Sequence, residues 1–286
     1  MKEFEDIAKQ ISSFNEKESK KIINSKAKMP TEIGICNILS KIKKMFFPAF
    51  FENDCSKLKD EADYTEQLLN EVYNDLKCEL CLALSFNKTK VAENSVDEIT
   101  KSFLKELPSV QKTLLTDVDA AYEGDPAAKS KEEIICTYPG FYAIFVYRIA
   151  HILYEMKVPF IPRIMTEHAH SKTGIDINPG AKIGDHFFID HGTGVVIGET
   201  TIIGNNVRIY QGVTLGALSL KKGQKLSGKK RHPTVKNNVI IYSGASILGG
   251  DTVIGEGAII GGNTFIVESI ADNAKVTSKL PELIIK

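Results

Sequence analysis

The sequence predicts an α+β chain. An all-α N-terminal domain over residues 1–170 is followed by a parallel β-helix of hexapeptide units over 171–286, with one loop extruded over 216–234. Three observations predict it. Glycine divides the chain: only Gly34, Gly124 and Gly140 precede residue 174, and the other 18 of 21 lie between Gly174 and Gly262. Phenylalanine runs the other way, with 11 of 14 before residue 174. Beyond Ile177 an aliphatic residue recurs every six positions, a period that neither a helix nor a plain alternating strand produces.

The first half reads as helices. In the stretch 64–84, Leu68, Leu69, Val72, Leu76 and Leu80 recur at three- and four-residue steps and share one helical face. Pro108 is expected to open a further helix that Gly124 ends. Pro139 is expected to open another through GFYAIFVYRIAHILYEM, closed by Pro159 and Pro162. Aromatic and aliphatic residues surround this last segment, so it should be buried. Cys78 and Cys81 form a lone C-x-x-C inside a helical pattern, which reads as helix packing.

In the second half the aliphatic positions are Ile177, Ile183, Ile189, Ile197, Ile203, Ile209 and Leu215, then Val235, Ile241, Ile247, Ile254, Ile260 and Ile266. Each unit is one short strand and one turn, and three units make one winding of a triangular prism with the aliphatic side chains along its axis. Windings stack at the strand spacing of about 4.8 Å. Such a stack needs a cap, which the helical half can supply. The twenty-residue step from Leu215 to Val235 extrudes the loop ALSLKKGQKLSGKKRHP, which carries five lysines and Arg231.

Composition narrows the function. Lys+Arg and Asp+Glu both number 36, so the formal charge is zero, which disfavours nucleic-acid and membrane-surface binding. Five cysteines, all at or before Cys136, form no disulfide framework and suit a reducing, cytoplasmic setting. The charged N-terminus and the lack of an eighteen-residue apolar run predict neither a signal peptide nor a membrane span.

A prism has no cleft, so chemistry must use its faces, its loop or the junctions between subunits. The densest polar cluster is Asp176, Asp190 and His191, joined by Arg231 and His232 after the loop. Asp176 and His191 are fifteen residues apart, nearly one winding, so they are expected on neighbouring coils where a carboxylate can orient an imidazole. A histidine so held is a general base near neutral pH; the bland reading is a solvated corner residue. The lysines of the loop have two readings, a solvated excursion or a set of ammonium groups for a phosphorylated ligand. Three histidines on stacked coils would suit zinc, but the spacing of His186, His191 and His232 does not demand it. His168 and His170 are expected at the solvent or the domain junction, and no metal is expected.

The segments YPGFYAIFVYRIAHILY (138–154) and HAHSKTGIDINPGAKIGDHFFIDHGTGVVIGETTIIGNNVRIYQGVTLGA (168–217) resemble the serine acetyltransferase family. The resemblance covers about residues 110–270. It implies that the β-helix is left-handed, that prisms pack as trimers with active sites between subunits, and that trimers often pair into hexamers. It implies acetyl transfer from acetyl-CoA to the L-serine hydroxyl in cysteine biosynthesis. By the same resemblance, His191 is the general base, Asp176 its orienting carboxylate, and Asp125 and Asp190 the partners of the serine ammonium. Arg231 and His232 then bind the serine carboxylate, while Gly216, Ala217, Ser243 and Gly244 let backbone approach the pantetheine arm. Feedback inhibition by L-cysteine follows, since cysteine would occupy the serine contacts. The alternative acceptors for this fold are a sugar or another amino acid; a zinc hydro-lyase and a non-catalytic scaffold are the readings from other classes.

Three departures stand out. Asn178 replaces a family histidine, and the loop from Ala217 to Lys230 is longer than usual. The last residues, VTSKLPELIIK, lack the family's small-residue V-P-A-R segment and its tail ending in Ile, so O-acetylserine sulfhydrylase is expected to be a doubtful partner.

Overall fold

The structure is a computed structural model that describes residues 2–17, 28–54, 60–86, 93–219, 221 and 223–279. Its helices are α1 (Lys2–Lys17), α2 (Glu32–Phe46), α3 (Pro48–Phe51), α4 (Glu61–Ser85), α5 (Glu93–Gly124), α6 (Lys131–Thr137), α7 (Pro139–Glu155) and α8 (Ile161–Thr173). Short polar residues start several of them. The Thr31 hydroxyl accepts from Gly34 N–H at 3.0 Å, and the Asp60 carboxylate accepts from Asp63 N–H at 3.1 Å. Each satisfies a donor that the first turn leaves unpaired. None of the helices among the described residues is long and apolar enough to cross a membrane.

Two proline expectations are corrected. Pro108 lies inside α5, which starts fifteen residues earlier at Glu93. The lost backbone bond is tolerated because Phe103, Leu107 and Leu114 beside it are fully or almost fully buried, and packing outweighs a local propensity. Pro162 does not close α7 but occupies the first turn of α8, where its missing N–H costs nothing. Cys78 and Cys81 are both exposed on α4, contrary to the packing reading.

The strands wind in chain order. β1 (Asp176–Ile177), β2 (Lys182–Ile183) and β3 (Phe188–Asp190) make the first winding; β4 (Val196–Ile197), β5 (Ile202–Ile203) and β6 (Arg208–Tyr210) make the second. The third holds β7 (Thr214–Gly216), β8 (Thr234–Val235) and β9 (Ile240–Ile241), the fourth β10 (Ser246–Leu248), β11 (Val253–Ile254) and β12 (Ile259–Ile260). β13 (Phe265–Ile266) and β14 (Lys275–Val276) complete the last. All pairings are parallel and build three faces: β1-β4-β7-β10-β13, then β2-β5-β8-β11, then β3-β6-β9-β12-β14. The predicted parallel β-helix is therefore present, and its loop leaves between β7 and β8. Twelve of the thirteen predicted axial aliphatics are buried, and Ile183, in the first winding, is partly so. They stack in register, Ile177 on Ile197 on Leu215 on Ile247 on Ile266.

The helical half caps the first winding. Tyr147 donates its hydroxyl to the Ala181 carbonyl at 2.6 Å, and His151 Nδ1 lies 2.8 Å from the Pro179 carbonyl. Arg148 on α7 binds Asp117 on α5 with two nitrogens, at 2.6 and 2.8 Å, and donates to the Gly184 carbonyl at 2.8 Å. Asp117 also accepts from Phe187 N–H at 2.9 Å, so one buried ion pair ties two helices to the turn between β2 and β3. Gly140 lets α7 lie this close: a Cβ there would stand 2.2 Å from the Ile189 carbonyl oxygen. Gly140→Ala should therefore lower stability by about 1–3 kcal/mol, read as a lower urea midpoint, because a backbone atom cannot swing aside.

Candidate active site

His191 follows directly on β3, at the corner where the third face turns into the first. Its φ of 55° is left-handed, uncommon for a residue with a Cβ, and its side chain is 73% exposed. Alternation along β3 buries Ile189 on the axis and sends Asp190 outward on the same side as Phe188. Asp190 is nevertheless nine-tenths covered, because the end of α5 folds over it. That end is pinned by Arg208 of β6, which donates to the Gly124 carbonyl at 3.0 Å.

Asp125 comes next in the chain. Its carboxylate accepts the Tyr138 hydroxyl at 2.5 Å and Ala127 N–H at 2.8 Å. The Tyr138 hydroxyl, the amide and the nearby His191 ring together hold the Asp125 carboxyl below its ordinary range. Burial pushes Asp190 the other way, offset by His191, with Asp125 adding like-charge repulsion. His191 Nε2 stands 3.8 Å from Asp190 Oδ1. An imidazole open to solvent and flanked by two acidic groups is an arrangement that suits a small cation beside a proton acceptor.

Asp176 is placed differently. The first winding takes twenty residues, Asp176 stacking on Val196, so Asp176 and His191 share one winding rather than occupying neighbouring coils. The turn that carries His191 lies over the approach to β1, with Gly194 N–H donating to the Gly174 carbonyl at 2.8 Å. The Asp176 carboxylate, however, faces α8: Arg163 Nη1 is 3.8 Å away, with Glu167 and His170 beside it. No hydrogen bond or ion pair joins it to His191 within the described residues of one chain.

Arg231 and His232 sit at another corner, between the first and second faces. There Arg231 pairs with Glu199, which also accepts the Tyr154 hydroxyl at 2.9 Å. His232 is buried, and its Nδ1 accepts Thr200 N–H at 3.0 Å, which leaves the proton on Nε2. Burial first, then the neighbouring Arg231 and Lys230, bring its pKa from 6.5 to about 4. Between those values the unfolded chain binds the proton and the folded chain does not, so stability falls as pH drops through that window. His232→Gln should remove that part of the pH dependence of the urea midpoint.

Lys230 is a structural member of the loop base, donating to the carbonyls of Thr200 at 2.8 Å and Pro233 at 3.1 Å. Lys221, Lys225 and Lys229 are exposed, and Lys222 lies outside the described residues. Gly216 ends β7 on the first face, and Ala217 starts the loop. Ser243 and Gly244 lie at the same corner as His191, two windings further on. There Gly194, Gly212 and Gly244, with φ of 81°, 72° and 71°, stack so closely that a Cβ on Gly212 would lie 3.4 Å from the Gly244 Cα. This column leaves a strip of bare backbone running along the prism from the His191 turn. His186, His191 and His232 occupy three different corners, so one chain assembles no three-histidine centre. Sequence reasoning missed Tyr138, Arg208, Glu199 and Thr200 as positioning groups. Glu199 and Thr200 stand inside the quoted IDHGTGVVIGET, yet their partners are thirty or more residues away.

The pattern described as "Serine acetyltransferase, N-terminal" matches residues 58–145. A serine acetyltransferase of Synechococcus elongatus, the plasmid one, is 44% identical over 257 residues, 85% of this chain and 79% of that protein. That of Bacillus subtilis is 48% identical over 163 residues, 57% of this chain and 72% of its own length. Among solved structures, serine acetyltransferase 1 of Entamoeba histolytica in complex with L-cysteine superposes with a TM-score of 0.75 at 43% identity, covering 84% of this chain and 86% of that one. The Neisseria gonorrhoeae enzyme in complex with serine gives 0.57 at 27% identity, with 85% and 95% covered. These neighbours share the helical region followed by a left-handed β-helix. With this identity over most of both chains, and the same order of helices and prism, the chain belongs to the serine acetyltransferase family.

Proposed function

We propose that the corner at His191 performs serine O-acetylation by direct transfer from acetyl-CoA. The observation that carries this reading is the exposed His191 ring, 3.8 Å from Asp190 and near enough to Asp125 for their charges to interact. The L-serine ammonium sits against the two acidic groups, which places its hydroxyl beside the imidazole. His191 takes the hydroxyl proton as the oxygen attacks the thioester carbonyl; the C–S bond then breaks and the proton passes to the departing CoA sulfur. No covalent enzyme intermediate enters, and no cysteine lies in the prism. Asp176 orients the base through the turn that it underlies, and its carboxylate reaches the ring once a neighbouring subunit or substrate draws it away from Arg163.

Arg231 and His232 serve the serine carboxylate, with the planar guanidinium matching two oxygens. They stand at a different corner from His191, so the complete site needs two chains: the His191 corner of one prism against the Arg231 corner of the next. A homotrimer supplies three such junctions, and pairing of trimers into a hexamer uses the helical halves. The bare glycine strip, with Ser243, Gly244, Gly216 and Ala217, guides the pantetheine arm along the junction. L-cysteine, with the same ammonium and carboxylate as serine, inhibits from the same contacts. The setting is cytoplasmic, in keeping with four free cysteines among the described residues. The tail that would reach O-acetylserine sulfhydrylase lies from residue 280 outside the described residues.

Purified protein given acetyl-CoA and L-serine should release free CoA thiol, and L-cysteine should suppress the release. Sugar or other amino-acid acceptors should give none; turnover with those but not with L-serine would reverse the assignment.

A further inference from the structure

Three lone-pair donors converge where α2 meets α8, outside both corner clusters. Glu32 opens α2 and Cys36 lies one turn on, at the spacing that places both on one face. His168 comes from α8. Cys36 Sγ is 3.1 Å from His168 Nδ1, and Glu32 Oε1 is 3.4 Å from the same nitrogen. All three ligand atoms lie within 4.8 Å of one another.

As a hydrogen-bonded group this arrangement lets one proton serve two of the three at a time and leaves the exposed Glu32 carboxylate to water. When the thiol donates to Nδ1, the carboxylate faces a nitrogen with no proton to offer it. When Nδ1 carries the proton, sulfur and carboxylate compete for one donor. A cation at the centre satisfies all three. Sulfur and nitrogen on a tetrahedral zinc ion stand about 3.5 Å apart, slightly wider than the 3.1 Å here, so a small side-chain rotation would seat one. A thiolate, an imidazole and a carboxylate together select zinc-class ions over magnesium or calcium. A cavity of about 670 Å³, lined in part by Met29, Glu32, Arg163 and His168, opens beside the cluster and gives an ion a way in. Arg163, which lines the cavity, is already engaged by Glu167 and Asp176, and Lys172 lies near enough to interact with Cys36.

We propose that Glu32, Cys36 and His168 form a zinc-class metal site that staples α2 to α8. Binding expels the Cys36 thiol proton, so each ion taken up releases a proton and affinity falls as pH drops. This departs from the sequence expectation of no metal, which set His168 at the solvent or junction and did not connect it with Cys36, 132 residues away.

Cobalt(II) titrated into the metal-free full chain is the test. The expected result is one ion per chain, with tetrahedral d–d absorption and an ultraviolet sulfur-to-cobalt charge-transfer band, both displaced by zinc. Cys36→Ser should abolish the charge-transfer band and weaken binding by about ten- to a hundredfold. The double variant Cys78→Ser/Cys81→Ser should leave the spectrum unchanged. Should Cys36→Ser fail to fold, Glu32→Gln at an exposed position should still weaken affinity about tenfold. A parent spectrum with no charge-transfer band, or a band and affinity that survive these replacements, overturns the proposal.

Discussion

His191→Ala should lower kcat by at least about a hundredfold in the thiol-release assay, the usual contribution of a positioned general base. The KM for acetyl-CoA should change little, because the glycine strip proposed to guide the pantetheine arm begins at the turn backbone rather than at the ring. His191→Asn keeps a similar shape without a proton acceptor of useful basicity and should be equally impaired. His191 is the exposed imidazole at the corner where Asp125 and Asp190 also lie. Near-normal turnover in both variants would remove His191 from the chemistry. Asp190→Asn should instead act mainly through the serine KM, since the proposed reading sets its carboxylate against the ammonium rather than the reacting carbonyl.

The second large effect is structural. Asp117→Ala should cost about 3–5 kcal/mol, because it leaves the Arg148 guanidinium buried without its counter-charge. The side chains concerned are almost wholly covered, Asp117 at 0% exposure and Arg148 at 7%. Phe187 N–H also loses its acceptor, so the turn between β2 and β3 should loosen along with the helices. Replacing both members, as Asp117→Leu with Arg148→Met, should lose less than Asp117→Ala alone, since no orphaned charge remains. Urea midpoints of the two variants decide this. Equal losses in single and double variants would show that packing, and not the charge, holds the cap on the prism.

The two effects differ in how far the sequence foretells them. The prism was legible from Ile177, Ile183 and Ile189, then Ile197, Ile203, Ile209 and Leu215, each six residues apart within its run. A six-residue period is a local rule, and a backbone that obeys it in each unit stacks whatever surrounds it. The loop between β7 and β8 was legible for the same reason, as the one long interruption of the period. Pro108 was misread because tertiary burial of Phe103 and Leu107 overrides a local helix-breaking tendency. Cys78 and Cys81 were misread because a helical period says which residues share a face and not which face meets the core.

Within the candidate site the sequence singled out Asp176, Asp190 and His191, and the family resemblance added Asp125; the structure brings Asp125, Asp190 and His191 together and turns the Asp176 carboxylate elsewhere. It gave no sign that Asp176 would face Arg163, or that Arg231 would pair with Glu199. It also gave none that Tyr138 would hold Asp125, since the hydroxyl reaches back across α6 to the end of α5.

What the amino-acid order determined by itself is the winding: short strands, tight corners, an aliphatic axis and a helical half to close one end. That follows from repeated local constraints on backbone and side-chain direction. What only the tertiary structure decided is which polar groups meet. Arg208 and Gly124 are 84 residues apart and Arg148 and Asp117 are 31 apart. Such meetings depend on how helices dock across the end of the prism, a global packing solution that no local period encodes.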